Sequence, residues 1–487
     1  MVDLLVIGAG IIGASTAWAA ARAGASVAVV DRGGIAGATS SASSKLLHGG
    51  LRYLAMGDIG LVREAHAERR LNAQVVAPHL VWPLSFLVPV ARDGPVALWK
   101  VRGGVWTYGA LTRFADGRSG RIALEQARRR APGLRTDGLR GVVLYHDHQT
   151  NDARLTVAAL QAAAAHGAIV APHVEVTALR VAGGRVSGAE LVDRLSGAAM
   201  AVSAGAVVNA TGPWVDQLRR MESPGAGTSV RLSKGAHLLL DGPEGWSAAV
   251  TTPLPGGRVS FAVPWEGMLL LGTTDEPFEG DPATVTAQDD DERQILAEAA
   301  RSLAPELVAP GRVRSRFAGL RVLPVGAGST AHVRRETVVS TGAGGMVSVA
   351  GGKLTTWRRI GLHAARAALG RPVPSTAEPV PGAAPLAEVE RRIARDWPDL
   401  DPALRGRLAR HHGLRALGVL ERGREQPGLL ERVHPDGPDI WAQAVEAVER
   451  EWAATPDDIL RGRLSVAMRG LDDHDVRRRV SELLEGA

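Results

Sequence analysis

Four side chains able to handle protons and anions crowd the stretch SSKLLHGGLRYL at residues 43–54: Lys45, His48, Arg52 and Tyr53, around the pair Gly49–Gly50. A histidine exchanges its proton close to neutral pH, and an arginine fork grips carboxylate or phosphate with two parallel bonds. Apolar residues at 46, 47, 51 and 54 hint at a helix, but adjacent glycines would weaken one. A second set, Gly8, Gly10 and Gly13, follows the apolar run Leu4–Ile7, with Asp31 placed 18 residues past Gly13. In such a loop the first glycine turns the chain, the second admits a pyrophosphate to a helix N-terminus, and the third lets helix and strand pack closely. Asp31 would accept the ribose hydroxyls. A third set, MVSVAGGKLTTWRRIG, reads as a strand, then Gly351–Gly352, then a helix beginning near Thr355. The positive end of that helix suits a group that becomes negative on reduction, such as a flavin near N1 and O2.

These residues need elements to hold them. Leu4–Ile7 and Val27–Val30 read as buried parallel strands joined by an alanine-rich helix that Gly24 closes. Residues 61–76 look helical, and 79–90 look like strands broken by prolines. A helix follows Asp152, and AVVNATGPWV is a β run ending at Thr211–Gly212, whose backbone would reach the nucleotide half of a cofactor. Residues 168–208 and 231–275 carry short β runs with Gly-rich turns. A parallel core interrupted by antiparallel insertions implies a second domain built within the first. The Pro-rich segment 371–385 reads as a linker, and the charged helical pattern beyond it as a further domain. There, Trp441, Ala444, Val445, Val448 and Trp452 share a helix face, and Thr455–Pro456–Asp457–Asp458 reads as a capped helix start.

Composition narrows the classes. A chain of 487 residues exceeds the usual span of one core. No cysteine is present, which excludes disulfides, thiolate nucleophiles, cysteine-ligated clusters and a flavin attached through sulfur. The net charge of +6 suits anionic small molecules, an anionic membrane surface or nucleic acid; with 4% aromatics and no basic tract interleaved with them, nucleic acid is the least favoured of the three, and no nucleic-acid partner is expected. The uncharged run Leu4–Ala21 follows Asp3 rather than a basic cluster and contains three glycines, so it reads as strand, loop and helix, not as an anchor. The fingerprint does not by itself separate FAD from NAD. Its position at the chain start favours FAD, and no second fingerprint appears, so one dinucleotide is expected.

The segments GAGIIGAS, TSSASSKLLHGGLRYL, APHLVWPLSFLVP, NDARL, NATGPWVD, LSKGAH, FAVPW, GTTD, GLRVLP, GGKLTTWR and REWAATPDDIL stand in one order along most of the chain. In this the sequence resembles the FAD-dependent glycerol-3-phosphate dehydrogenases of the respiratory, aerobic type. The resemblance implies an α/β fold of D-amino-acid-oxidase type: a Rossmann-like FAD domain (about 1–75, 145–215 and 335–370), interleaved with an antiparallel-β substrate domain (about 76–144 and 216–334). A linker at 371–385 and a helical C-terminal domain at 386–487 complete it. Asp31 and Trp357 stand where the family commonly has Glu and Tyr. The resemblance further implies oxidation of sn-glycerol 3-phosphate to dihydroxyacetone phosphate, with electrons passed to a membrane quinone. Non-covalent FAD, a peripheral position on the inner face of the cell membrane and a homodimer fit the same picture; no metal site is expected.

Site roles follow from that resemblance. Arg52, Arg321 and Arg335 (with Arg334 beside it) are the phosphate-binding candidates, joined by Tyr53, Thr274 and Asp275 for the rest of the substrate. Lys353 would offset negative charge at flavin N5 or the C2 oxygen, and His48 is the first candidate for the base, with an arginine as the alternative and Arg321 counted among the catalytic residues. Ser43, Ser44, Lys45 and Leu46 would hold the FAD phosphate and ribityl region, with Gly8, Gly10, Gly13, Asp31, Val176, Thr211, Gly212, Gly352, Lys353, Leu354 and Thr355 completing the cofactor contacts. Gly49–Gly50 would let the backbone pass close to the isoalloxazine. A glycerol-3-phosphate oxidase passing electrons to oxygen, a D-amino-acid or sarcosine-type oxidase of the same fold and a non-catalytic flavoprotein are the other readings.

Overall fold

The computed structural model describes residues 1–51, 54, 57–325 and 337–486. Its first sheet runs in the order Val338–Thr341, Val347–Ala350, Ala199–Asn209, Val2–Ile7, Val27–Val30, Ile169–Ala171. The opening strand lies at the centre, parallel to both neighbours, and Leu4, Leu5 and Val6 are fully buried, as a strand covered on both faces requires. On one face the alanine-rich helix Ile11–Arg22 packs beside the helices Asp152–Ala165 and Trp357–Leu369, and Trp18 stacks on Trp357 with centroids 6.1 Å apart. The other face is covered by an antiparallel ladder: Val174–Ala182 pairs with Arg185–Asp193, which pairs with the first half of Ala199–Asn209.

Among the described residues the second sheet holds ten strands. Its path runs Glu276–Phe278, Val230–Asp241, Met268–Gly272, Val259–Trp265, Ala248–Pro253, Val81–Ala91, Leu139–Thr150, Leu46–Leu47, with Val313–Pro324 and Gly120–Ile122 at its sides. The helix Asp289–Ala299 packs on one face and the helix Leu98–Ala110 on the other. The segment expected as strands broken by prolines is one strand, Val81–Ala91. Its parallel neighbour pairs only with Ser85–Leu87, so Pro83 and Pro89 lie where that edge of the strand is open and no donor is missed. The short strand Leu46–Leu47 pairs with His148 and Gln149, which ties the stretch 43–54 to the edge of this sheet.

The Pro-rich segment is no loose tether. Val373 and Val380 are buried in the core beneath Val76 and Leu80, and Val380 N donates to Val76 O at 2.9 Å. Five α-helices follow: Leu386–Asp396, Pro402–His412, Ala416–Glu425, Trp441–Arg450 and His474–Glu485. Buried charge fixes them to the rest. Arg154 donates to both carboxylate oxygens of Glu451, at 2.5 and 2.7 Å, and to His411 O. Arg463 donates to Glu451 O, and Arg407 joins Glu266 to Asp439. Asp458 caps Thr455 N at 3.0 Å and accepts from His173 Nε2 at 2.7 Å. Among the described residues no helix is long and apolar enough to cross a membrane.

Candidate active site

The glycine loop opens a cleft of about 530 Å³. Gly8 has φ +110°, and a Cβ there would lie 2.5 Å from Ala210 O. A Cβ on Gly13 would collide with the Gly8 carbonyl, so glycine is what brings helix and strand together. Gly10 is the N-cap of the helix Ile11–Arg22; its side cannot cap and the first turn holds no acid. Ser40 Oγ accepts from Ile11 N at 2.9 Å. At the end of the second strand Asp31 accepts from Ala9 N at 2.7 Å and Gly33 N at 2.9 Å. Burial pushes its carboxyl above the ordinary range, while these hydrogen bonds pull the other way. Each carboxylate oxygen keeps a lone pair for a hydroxyl in the cleft.

Val176, Thr211 and Gly212 line the cleft near Asp31, and Arg32 lies 4.2 Å over the Trp214 ring beside them. Asn209 Oδ1 fixes Thr211 by accepting from its hydroxyl at 2.7 Å. Ser43, Ser44 and Leu46 also line it. Lys45 does not. It has φ +60°, its ammonium is buried, and it donates to Asp152 Oδ1 at 2.6 Å, 5.3 and 5.4 Å from the rings of Trp265 and Phe317. This corrects the expectation that Lys45 grips the cofactor: its charge is spent inside the protein. Asp152, overlooked in the sequence, is the residue that faces the cleft there, accepting from Ser43 Oγ at 2.6 Å. Its one signal was the NDARL motif, in which Asn151 caps the helix by accepting from Arg154 N at 3.1 Å.

His48, Gly352, Lys353, Leu354 and Thr355 form one wall. Two segments distant in sequence meet there, because His48 N donates to Thr355 Oγ1 at 3.1 Å and Thr355 Oγ1 donates back to His48 O at 3.0 Å. A single turn, Leu354–Thr356, precedes the helix Trp357–Leu369, so the helix proper starts two residues later than expected. Gly49–Gly50 lie outside the cleft lining. Gly49 N donates to Asp147 Oδ1 at 3.0 Å, and a Cβ on Gly49 would lie 2.5 Å from Tyr108 Oη and 2.6 Å from His66 Cε1. The glycine therefore serves packing against Tyr108 and His66, not approach to a ring in the cleft. Asp147 also accepts from Tyr108 Oη at 2.9 Å and pairs with Arg69, which pairs in turn with Asp116.

Arg321 lines the opposite wall with His237. Its guanidinium donates to Thr273 Oγ1 at 3.0 Å, Thr274 O at 3.1 Å and Asp275 Oδ1 at 3.2 Å. It passes over Gly235, where a Cβ would lie 2.6 Å from Nη2. Thr274 is fully buried and bonds Asp291 Oδ1 at 3.2 Å, away from the cleft, which corrects its expected place in the substrate pocket. Asp275 Oδ1 accepts from Ser233 Oγ at 2.5 Å and from Arg321 Nη1 at 3.2 Å. His237, within the LSKGAH motif but not singled out there, bonds Ser44 Oγ at 2.8 Å and stacks on Phe317. Burial, helped by the charges of Arg321 and Lys45, pushes its pKa down to about 3, so it is neutral at physiological pH. Arg52, Tyr53 and Arg335 lie outside the described residues.

Residues 3–358 match the family described as FAD dependent oxidoreductase, and residues 374–486 the C-terminal domain of alpha-glycerophosphate oxidase. A glycerol-3-phosphate dehydrogenase of Mycobacterium leprae is 34% identical over 96% of this chain and 81% of its own. The chain belongs to the FAD-dependent glycerol-3-phosphate dehydrogenase family. A family relative from Synechocystis is 33% identical over 96% of this chain and 89% of its own. The FAD complex of the family member from Bacillus halodurans superposes with a TM-score of 0.78 at 29% identity, covering 100% of this chain and 91% of that one. An L-alpha-glycerophosphate oxidase from Mycoplasma pneumoniae, 15% identical with a TM-score of 0.61 over 78% of this chain and 99% of that one, shares the fold. The family's FAD fits the cleft by this chain's own chemistry. Gly8 and Gly13 leave room where any Cβ would clash, the helix after Gly10, with Ile11 N taken by Ser40 Oγ, keeps further first-turn N–H groups for a pyrophosphate, and Asp31, bonded to Ala9 N in that loop, keeps lone pairs for a ribose hydroxyl.

Proposed function

We propose that this protein oxidises sn-glycerol 3-phosphate at C2 to dihydroxyacetone phosphate and passes the two electrons to a membrane quinone. The observation that carries the substrate reading is Arg321. Its guanidinium is held by Thr273, Thr274 and Asp275 above the one residue type, glycine at 235, that leaves it space, and it faces the same cleft as His48 and Lys353. A planar cation fixed in this way binds a dianionic phosphate with two parallel bonds and orients the C2 carbon. Arg52, Tyr53 and Arg335, from the family resemblance, join it. His48, whose main chain is clamped by Thr355, takes the C2 hydroxyl proton, and Lys353 offsets the negative charge that develops on the C2 oxygen. FAD, when bound, supplies the acceptor for the hydride that leaves C2. Buried Leu46 and half-buried Leu354 give the cleft an apolar lining that limits water at the reacting carbon.

The relatives named as dehydrogenases, one of them an aerobic glycerol-3-phosphate dehydrogenase of Staphylococcus epidermidis that is 33% identical over 74% of this chain and 66% of its own, favour a quinone over oxygen. The match of the C-terminal domain to that of an oxidase favours the second reading, in which oxygen accepts the electrons. Anaerobic addition of sn-glycerol 3-phosphate to the holoenzyme tests the first step: the yellow flavin band bleaches, and Arg321→Lys lowers kcat/KM about a hundredfold because a point charge replaces the fork. A band unchanged by substrate refutes the assignment. Reoxidation by a soluble quinone without hydrogen peroxide supports the dehydrogenase; stoichiometric peroxide in air moves the chain to the oxidases.

A further inference from the structure

The turn that follows Asp31 is held from behind the cleft. Asp31, Arg32, Gly33 and Gly34 line the cleft, as do Val174 and Val176 of the strand Val174–Ala182. His173, just before that strand, is not in the lining, yet its N–H donates to Gly33 O at 2.9 Å and the N–H of Val174 donates to Asp31 O at 2.7 Å. The His173 backbone has φ +59°, a left-handed conformation uncommon for a residue with a side chain, so its neighbours must hold it there. One of them is Asp458, 285 residues further along in the C-terminal domain, whose Oδ2 bonds His173 Nε2 at 2.7 Å. The same oxygen accepts from Ala454 N at 3.1 Å and from Thr455 N and Thr455 Oγ1 at 3.0 Å each. With so many bonds the carboxylate is fixed, and its Oδ1 lies where a Cβ on Gly34 would come within 1.8 Å. Gly34 is thus glycine because the C-terminal domain presses against it. The side chains of His173 and Asp458 are 12% and 6% exposed, so water screens the pair little. The hydrogen bond to Asp458 raises the His173 pKa against the pull of burial; the charges of Asp458 and Asp31 help, and Arg463 opposes. Asp193 also faces the His173 charge. That charge in turn favours the ionised form of Asp31, which burial disfavours.

We propose that His173 and Asp458 are positioning residues for the cofactor, through which the C-terminal domain fixes the Asp31–Gly34 turn that receives the ribose of FAD. They act through other groups: His173 through Gly33 O and the charge of Asp31, Asp458 through His173 and Gly34. A turn held in place before the ligand arrives loses little freedom on binding, which is affinity gained without a contact. An ionised Asp31 offers acceptors on both oxygens, whereas a protonated one turns part of that capacity into a donor. Coupling of this kind is reciprocal, so FAD must tighten the docking of residues 454–458 by the same factor by which that docking tightens FAD. The inference needs only the FAD cleft, and it stands whether the electrons leaving the flavin go to a quinone or to oxygen.

Titration of the deflavinated full chain with FAD, read by flavin fluorescence, tests it. Asp458→Asn and His173→Gln each raise the FAD dissociation constant about tenfold or more, since each takes one charge out of the row Asp458, His173, Asp31. The double variant is no worse than the more severe single one, because the two residues act as a unit. In the parent the added affinity is fully present while His173 is charged, and it is lost as pH rises through the raised His173 pKa, above about 6.5; in His173→Gln the profile is flat over that range. Amide exchange gives a reading that needs no variant: in the parent, FAD slows exchange at residues 454–458. Both single variants binding FAD as the parent does would overturn the proposal. Additive losses in the double variant, a parent profile as flat as that of His173→Gln, or exchange at 454–458 that FAD leaves unaltered would overturn it as well.

Discussion

Two buried charge networks in this molecule use the same chemistry for different ends. Behind the site, Arg69, fully buried, pairs with Asp147 and Asp116. At the seam with the C-terminal helices, Arg154 and Arg463 meet Glu451, and Arg407 meets Glu266 and Asp439. In both, burial alone works against the charges, and opposite charge restores them: burial would raise Glu451 and Glu266, yet Arg154 beside the first and His411 with Arg407 beside the second hold both carboxyls well below the usual range. The difference lies in what the carboxylate has left to give. Asp147 accepts from Gly49 N and from Tyr108 Oη, and Gly49 follows His48 on the cleft wall. Glu451 spends its side chain on Arg154 and its carbonyl on Arg463, all within the seam. A buried ion pair is therefore no sign of catalysis in itself. The backbone it holds decides.

The largest expected effect breaks the seam. Glu451→Ala leaves two guanidinium groups buried with no carboxylate between them and destabilises the protein by about 3–5 kcal/mol. Urea unfolding of the holoprotein reads this loss. The flavin spectrum and KM of the fraction that remains folded stay unchanged, because no side chain of that network lines the cleft. A Glu451→Ala variant of normal stability but altered KM would erase the contrast between the two networks.

Acid pH should load both networks through their histidines. Burial, then nearby arginine charge, pushes His66 and His79 down to about 3 and His148 to about 4. His66 and His148 belong to the site side and His79 to the seam, facing Arg154, Arg415 and His411. Each folded value lies below the ordinary 6.5, so the unfolded chain binds the proton first and stability falls as pH drops below about 6.5. Every such histidine adds up to about 1.4 kcal/mol per pH unit until its folded value is reached. The depressed carboxyls Glu451 and Glu266 add their loss in a lower window, beginning below about pH 4.5. Thermal melts between about pH 7 and pH 5 check the first window, and His79→Gln flattens its share there. A melting temperature that does not change over that range contradicts the neutral state of these histidines.

Much of this was legible in the sequence, and what escaped has physical reasons. The glycine loop and Asp31 announced themselves because a dinucleotide demands a strand, a tight turn and a helix N-terminus in immediate succession. The capped start at Thr455–Asp458 was readable for a similar reason, since a cap is local. Lys45 was misplaced because a residue's type does not tell which way it points. A backbone at φ +60° turned it inward, and Asp152, more than a hundred residues away, received it. Asp147 and His237 sit in strands where alternation marks a side chain as inward or outward but not as a partner of a distant arginine. The part of the site that escaped is the part built by pairing between segments.

On the site side the expected effects are smaller in stability and larger in turnover. Asp147→Asn keeps an acceptor for Gly49 N–H but removes the charge opposite Arg69, while Asp116 remains. A loss of about 1–3 kcal/mol in stability is expected, with kcat reduced about tenfold or more as the His48 wall loosens. KM changes less, since Arg321 is untouched, and the pH profile of kcat shifts with the position of His48. Equal losses in kcat and in stability-corrected activity of a seam variant would remove the distinction.

Tyr108→Phe is the finest probe of the contrast. The ring stays packed against His66, with centroids 4.4 Å apart, and only the hydroxyl that bonds Asp147 is lost. Burial and the adjacent Asp147 charge push that hydroxyl's pKa well above its ordinary value, so it is a neutral donor throughout the working range. Asp147 keeps Arg69 and Gly49 N, which leaves its charge paired. The cost should be about 1 kcal/mol in urea unfolding, with kcat within about threefold of the parent. A much larger drop in kcat at that small cost in stability would show that Tyr108, and not Asp147, sets the position of the His48 wall.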